Sequence, residues 1–508
     1  MENQKVFSFF RQGFVFVVIF FALVAVLATL WVKEHFFIQH FGQILYHLRF
    51  PLLNIGEELP LSFAKFCLPP ALLAALLLVF LTRKKATIQG VATLAVVFVC
   101  AIFINQQLQI ADFFKAQSER SDLYEKHYRT FSLTPPPPQN LKNLVVIFIE
   151  SMTSAFTTDS VPTGELPETF APYGNLTPHL GALAKENVNF SATSAVGGIT
   201  QVFGTGWTTA GMASYLCAIP INLPYGKHLV LKHYFLDNAV CLTDILNAAG
   251  FKQIRISGIA DVFGGVRNFY QKHKVEVHDL PYFQQLGVLP KKLNAKEAGA
   301  QNVIWTPGKK ANKAIGKEYW GINDRLTFSL AEKEIRQLAE SKSKKPFAAY
   351  ISTMDTHPPF GFVDPEFCPD LPRTLRQSFT CSERVILDFV QKIKDIPNTA
   401  IILLGDHLPV DVAELKNQGI YNAFLNPAFL ADSADSAMLE KTKNRKLSHF
   451  DVAPLILESV GIPAESFGLG RNPLKTKTLL ESDFSLEDFN QQLLRGNKMY
   501  DDFWKNPR

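Results

Sequence analysis

Two carboxylates, one imidazole and one hydroxyl stand in this 508-residue chain where they could do chemistry together. Glu150 ends the run LVVIFIE, and Asp406 and His407 follow the run AIILLG. Two acids and an imidazole suit Mn²⁺ or Zn²⁺ better than Ca²⁺, with Mg²⁺ as a further candidate. Thr208 follows a glycine-rich stretch, GGITQVFGTGW, and opens the helical pattern TTAGMASYLCAIP. Free N–H groups and the positive end of a helix dipole favour a phosphate at such a place. The hydroxyl there is either a helix cap or a nucleophile. A metal held by the two strand ends would lower its pKa and make it an attacking alkoxide. Thr209 beside it offers the same group. His357, in MDTHPPF, could bind a phosphoryl oxygen or shuttle a proton, and His449, in SHFD, is a further candidate. Each residue has a plainer reading: Glu150 as a cap, Asp406-His407 as a turn, His357 as a structural histidine in a proline-rich turn.

The elements that would position these groups are buried strands. LVVIFIE and AIILL are continuous apolar runs of strand length, as expected of strands covered on both faces in a parallel sheet. Their last residues then fall at the carboxyl edge, where open α/β sheets bind ligands. PFAAYIST (346–353) is a third such run and delivers His357 to the same edge. Helical patterns alternate with the strands: LTPHLGALAKE from 176, CLTDILNAAGF (241–251), residues 326–340, CSERVILDFVQKIK (381–394) and residues 450–460. KQIRIS (252–257) and residues 423–430 add short strands. The alternation predicts an α/β fold with a mainly parallel sheet and helices on both faces.

Hydrophobic residues make up 47% of the chain and charged ones 19%, with 43 Phe, which is too apolar for a wholly soluble chain. The excess lies at the front. Residues 12–32 carry no charge, and stretches 61–82 and 88–108 are also long enough to cross a bilayer. Residues 36–53 read as interfacial. Arg83, Lys84 and Lys85 place the loop between spans two and three in the cytoplasm, so three spans export everything after about residue 105. Residues 111–131 read as a helix along the membrane surface, and Pro135–Pro138 as a stiff spacer of about 12 Å. The expected organisation is a transmembrane domain over 1–110, a juxtamembrane segment over 111–140 and an exported catalytic domain over 141–508. The net charge of +5 is mild and dispersed and does not argue for nucleic acid. Cys67 and Cys100 fall in the spans. In an oxidising compartment the other four should pair as sequence neighbours, Cys217 with Cys241 and Cys368 with Cys381.

The ordered set VVIFIES, LTPHLGALAKE, TTAGMASYLCAIP, TMDTHPPF, LLGDH, DVAPLILESVGI and GLGRNPL resembles the alkaline phosphatase/sulfatase superfamily. It is most similar to the branch of membrane-anchored phosphoglycerol transferases and lipoteichoic acid synthases. The resemblance implies one divalent metal ion held by Glu150, Asp406, His407 and Thr208. It implies Thr208 as the nucleophile, with Thr209 as the alternative, and His357 as a substrate contact. In IADVFGGVRNFY, lipoteichoic acid synthases carry a Trp and an Arg that hold glycerophosphate; here Arg267 is the nearby basic residue, and Asp261 replaces an uncharged one. The chain ends soon after GLGRNPL, without the acceptor-binding extension of longer glucan-modifying members. The implied function is transfer of phosphoglycerol, or phosphoethanolamine, from a membrane phospholipid (phosphatidylglycerol or phosphatidylethanolamine) through a phosphothreonine. The acceptor would be an envelope glycan or lipopolysaccharide, at a multi-pass bacterial inner-membrane protein facing the periplasm. The rivals are a phosphoethanolamine transferase acting on lipopolysaccharide core or lipid A, a sulfate or phosphate ester hydrolase, and a non-catalytic membrane-anchored sensor. No C/S-x-P-x-R motif of a sulfatase follows the first strand.

Overall fold

The run LVVIFIE forms the middle of a seven-stranded sheet. The computed structural model describes residues 2–36, 38, 40–49, 58–133, 137–157, 175–223, 235–289, 321–358, 361–409, 419–430 and 436–505. The strands are β1 (Asn143–Ile149), β2 (Gly198–Ile199), β3 (Lys252–Ile256), β4 (Glu276–His278), β5 (Phe347–Ser352), β6 (Thr399–Gly405) and β7 (Ile420–Leu425). Their order across the sheet is β2-β7-β6-β1-β5-β3-β4. β1 pairs in parallel with β5 on one side and β6 on the other, and β5, β3 and β4 continue in parallel. β7 runs antiparallel to β6, and β2 antiparallel to β7. The sheet is therefore mainly parallel with an antiparallel edge.

Leu144 to Ile149 are all fully buried, as are Ala348 to Ile351 and Ile402 to Leu404. That burial on both faces is why these strands read as unbroken apolar runs. Truncating Ile147, at the centre, to Ala would cost about 3 kcal/mol through lost transfer energy and the cavity left behind. The register aligns Ile149 with Gly405, so the residues following β1 and β6 leave the sheet side by side. β5 ends one position earlier, at Ser352 opposite Phe148. Three chain segments far apart in sequence thus converge at one edge.

The chain forms two compact units that divide at Glu119 and Arg120. The first holds three helices long and apolar enough to cross a membrane, within Val6–Glu34, Pro60–Thr82 and Ala86–Leu108. Phe41–Arg49, in the stretch read as interfacial, is a nine-residue helix. At 1.5 Å per residue it extends about 14 Å, too short to span. Residues 111–131, expected as one surface helix, are two: Ile110–Ser118 and Leu123–His127. The second belongs to the larger unit. Its Leu123 and Tyr124 are buried, and Tyr124 packs against Tyr500 and Phe503. Aromatic burial, rather than an amphipathic stripe, explains that segment. Pro135 and Pro136 of the proline spacer lie outside the described residues.

Both expected disulfides are present, Cys217–Cys241 and Cys368–Cys381, and Cys67 and Cys100 are free and buried. After the helix Pro178–Glu186, Val188 makes an isolated bridge to Phe424.

Candidate functional site

β1 ends in Ile149, and the next residue, Glu150, is gripped at both ends of its peptide. Its N–H donates to Thr353 Oγ1 at 3.0 Å, and its carbonyl accepts from Thr356 Oγ1 at 2.6 Å. Both threonines follow β5. Ser151 adopts a left-handed backbone with φ 54°, which a residue with a side chain takes at a cost of about 1 kcal/mol or more. In that conformation its N–H donates to Asp406 Oδ1 at 2.9 Å and its hydroxyl to Glu150 Oε1 at 2.8 Å. Ser151 therefore ties the ends of β1 and β6 together.

After β6, Asp406 Oδ1 also accepts from the His407 N–H at 2.8 Å. His407 Nδ1 lies 2.8 Å from the Leu408 carbonyl. A carbonyl only accepts, so Nδ1 carries the proton and Nε2 is left to face inward. Nε2 stands 3.4 Å from Glu150 Oε1, 3.6 Å from Asp406 Oδ2 and 3.5 Å from Thr208 Oγ1. Thr208 Oγ1 donates to Glu150 Oε2 at 3.0 Å. Thr208 is the first residue of the helix Thr208–Cys217, whose cap position is Trp207, so its hydroxyl is not the cap. It points instead at the acids.

One ligand-type atom from each of Glu150, Asp406 and His407 lies within 4.8 Å of the others, and all three residues are buried. Burial pushes the Glu150 carboxyl up, but the His407 and His357 charges and bonds from His407 and Ser151 outweigh it and hold it well below the carboxylate range. Asp406 goes the other way: burial and then the Glu150 charge push it up to about 8. Burial lowers His407, but Asp406 and Glu150 outweigh that and push it up to about 10. Two acids this close in a dry site cannot both be ionised without a compensating cation. The donor set therefore fits a divalent ion, and two oxygens with one nitrogen suit Mn²⁺ or Zn²⁺.

The other residues singled out from the sequence fall at differing removes from this cluster. His357 is half-buried, donates from Nδ1 to the Pro358 carbonyl at 2.7 Å, and lies near enough for its charge to lower the Glu150 pKa. Thr209 is 6% exposed and packs against Gly264, where a Cβ would stand 2.8 Å from its hydroxyl. Gly264 has φ 59°, so a side chain there is excluded twice over. His449 is wholly buried behind the site, its Nε2 2.9 Å from the Asp406 carbonyl. Arg267 is ion-paired with the buried Asp279. Asp261 is buried against Arg255 at 3.1 Å, which explains an acid in that loop.

Some residues of this neighbourhood gave no usable signal in the sequence. Ser151 and Thr353 are small polar residues at strand ends and look like ordinary turn residues. Asp324 and Asp355 form a buried pair in which each carboxylate accepts the other's N–H, at 3.0 and 3.2 Å. Burial, with a contribution from Glu150, raises Asp324 to about 7, and burial and then Asp324 raise Asp355 well above its usual value. Asp355 stands in the visible motif MDTHPPF, but its partner comes from a helix start thirty-one residues away.

The fold is of the alkaline phosphatase kind, and the parallel-sheet edge bearing a buried acid–imidazole cluster and a hydroxyl at a helix start is its candidate site. The family model described as Sulfatase matches residues 142–462, and the chain belongs to that family. Over 387 residues the chain is 30% identical to phosphoglycerol transferase I of Citrobacter koseri, covering 73% of this chain and 44% of that protein. It is 28% identical over 358 residues to phosphoglycerol transferase I of Xanthomonas axonopodis, covering 67% and 44%. The chain thus spans less than half the length of these curated relatives. Among solved structures, the lipoteichoic acid synthase LtaP of Listeria monocytogenes is 14% identical with a TM-score of 0.44, covering 68% of this chain and 79% of that one.

Proposed function

We propose that the protein is a membrane-anchored, metal-dependent phosphotransferase. It moves a phosphoglycerol group from a membrane phospholipid to a glycan of the cell envelope. The observation that carries this reading is the Thr208 hydroxyl, turned away from capping and donating to Glu150 at 3.0 Å beside His407 and Asp406. The similarity to phosphoglycerol transferases supports the choice of group.

Glu150, Asp406 and His407 would hold the ion, with Thr208 as a further ligand. When bound, the ion supplies positive charge that lowers the hydroxyl pKa and offsets charge on the non-bridging phosphoryl oxygens. Thr208 Oγ1 gives up its proton to solvent and attacks the phosphorus of phosphatidylglycerol, the bond from phosphorus to the diacylglycerol oxygen breaks, and that oxygen leaves with a proton from a protonated His357. His357, at the rim of the cluster, contacts a phosphoryl oxygen and delivers that proton. A phosphothreonine diester remains. An acceptor hydroxyl attacks the phosphorus and passes its proton to the now neutral His357, the bond from phosphorus to Thr208 Oγ1 breaks, and Thr208 regains a proton from solvent. The start of the Thr208 helix directs N–H groups toward the phosphate.

The three apolar helices keep the catalytic unit beside a donor that never leaves the bilayer, with that unit on the periplasmic side. The test is mass spectrometry of the full chain mixed with phosphatidylglycerol or phosphatidylethanolamine. A phosphoglycerol adduct on Thr208 is expected; a phosphoethanolamine adduct would reassign the head group. An adduct on the Thr208→Ala variant, or none on the wild type, defeats the reading.

A further inference from the structure

We infer that Tyr215 and His449 are positioning residues that set metal affinity, by clamping the Gly405–Asp406 backbone against the helix that carries Thr208. The inference rests on the metal-dependent reading above.

Tyr215 lies two turns after Thr208 on the same helix, and its hydroxyl donates to the Gly405 carbonyl at 2.8 Å. His449 begins the helix His449–Ser459, and its Nε2 lies 2.9 Å from the carbonyl of the next residue, Asp406. That carbonyl only accepts, so His449 carries its proton on Nε2. The two rings pack on each other with centroids 4.4 Å apart and a 35° tilt. Both residues are fully buried. Two consecutive carbonyls, those immediately before and at a ligand, are therefore held from two different helices.

Gly211 makes the close approach possible. It sits one turn after Thr208, and a Cβ there would meet the Asp406 carbonyl oxygen well inside van der Waals contact. The helix thus rests its own backbone on the turn that presents Asp406 and His407. Thr208 and Asp406 then belong to one rigid assembly, and the Thr208 hydroxyl and the ligand atoms keep their spacing without the ion. Partners of this kind, which hold ligands without touching the metal, typically change affinity by about 10- to 100-fold when removed.

The test uses the full chain in detergent, stripped of metal and titrated with Mn²⁺, with free ion followed by electron paramagnetic resonance. Tyr215→Phe removes one hydroxyl and keeps the ring. His449→Leu removes the donor, and His449→Gln returns an N–H that can reach the Asp406 carbonyl. Tyr215→Phe and His449→Leu should raise half-saturation about tenfold, and His449→Gln should recover most of the loss. Gly211→Ala should weaken binding as well, by forcing helix and turn apart. A merely structural role would lower the ion-free thermal midpoint and leave half-saturation unmoved. Wild-type half-saturation in both Tyr215→Phe and His449→Leu, while Asp406→Asn abolishes binding, overturns the positioning role alone. If Asp406→Asn binds Mn²⁺ as the wild type does, the metal reading falls and the positioning role falls with it.

Discussion

The hydroxyl of Thr208 donates to Glu150 Oε2 across 3.0 Å, although 58 residues separate the two in the chain. One comes from a helix start and the other from a strand end. Their contact needs the sheet, the helix and the loop between them all in place, so it is a sensitive point at which to test the chemistry.

Thr208→Ala should fold and bind metal and donor lipid, yet release no diacylglycerol. Because Trp207 holds the cap position, little capping energy is lost, and the thermal midpoint should move less than the loss of about 1 kcal/mol typical of a removed cap. Thr208→Ser should keep part of the turnover. Thr209→Ala should remain active, since its hydroxyl faces Gly264. Release of diacylglycerol from labelled phosphatidylglycerol checks all three.

Asp406→Asn should lose bound metal and transfer together. The substitution keeps the side chain's shape and its acceptor for the Ser151 and His407 N–H groups, so the fold survives. Metal content by elemental analysis beside the rate of adduct formation reads the outcome. Full occupancy with normal transfer would remove Asp406 from the site.

The pair of disulfides should separate stability from activity. Cys217–Cys241 spans 24 residues and Cys368–Cys381 spans 13, so each should stabilise the fold by about 3 kcal/mol. Replacing either pair by serine should lower the thermal midpoint by a similar amount. Only loss of the first should also slow adduct formation at a temperature where both variants are folded.

A pH effect on stability should come from His278, the last residue of β4. Its ring nitrogens lie 3.1 Å from Glu276 and 3.2 Å from Glu334. Burial lowers its pKa, but the two carboxylates outweigh burial and raise it above its ordinary 6.5. A raised folded pKa means the folded state binds the proton more tightly than the unfolded one. The contribution is therefore complete below about pH 6.5 and fades as pH rises through the folded value. Thermal midpoints of wild type and His278→Asn should differ more at pH 5.5 than at pH 9. An equal difference at both would exclude the ion pairs as its source.

Much of the site was legible because burial on both faces writes a strand plainly. LVVIFIE and AIILLGDH each end in a chemical group at the right edge, and the parallel register that sets Ile149 beside Gly405 brings those groups together. A strand was legible at 423–430 and lies at Ile420–Leu425 as β7, but its antiparallel direction and the two-residue β2 were not legible, since strand direction depends on loop paths that no local pattern encodes. His449 reads from the sequence as an available imidazole, yet its helix turns it inward onto a backbone carbonyl. Arg267 reads as a free cation, yet Asp279 arrives from just past an edge strand to neutralise it. Tyr215 reads as core, which it is; its hydroxyl gains meaning only once β6 lies beneath it.

Thr208 and Cys217 are the first and last residues of one ten-residue helix. Before oxidation the far end of that helix is held by packing and by hydrogen bonds such as that from Tyr215 to Gly405; afterwards it is also bolted to Cys241. The disulfide at one end and the Thr208 hydroxyl at the other thus share a single rod. A chain that has not yet met an oxidising compartment carries its reactive hydroxyl on a rod fastened less firmly. On the function proposed above, oxidation of this cysteine pair after export would firm up the rod only once the chain had left the reducing side of the membrane.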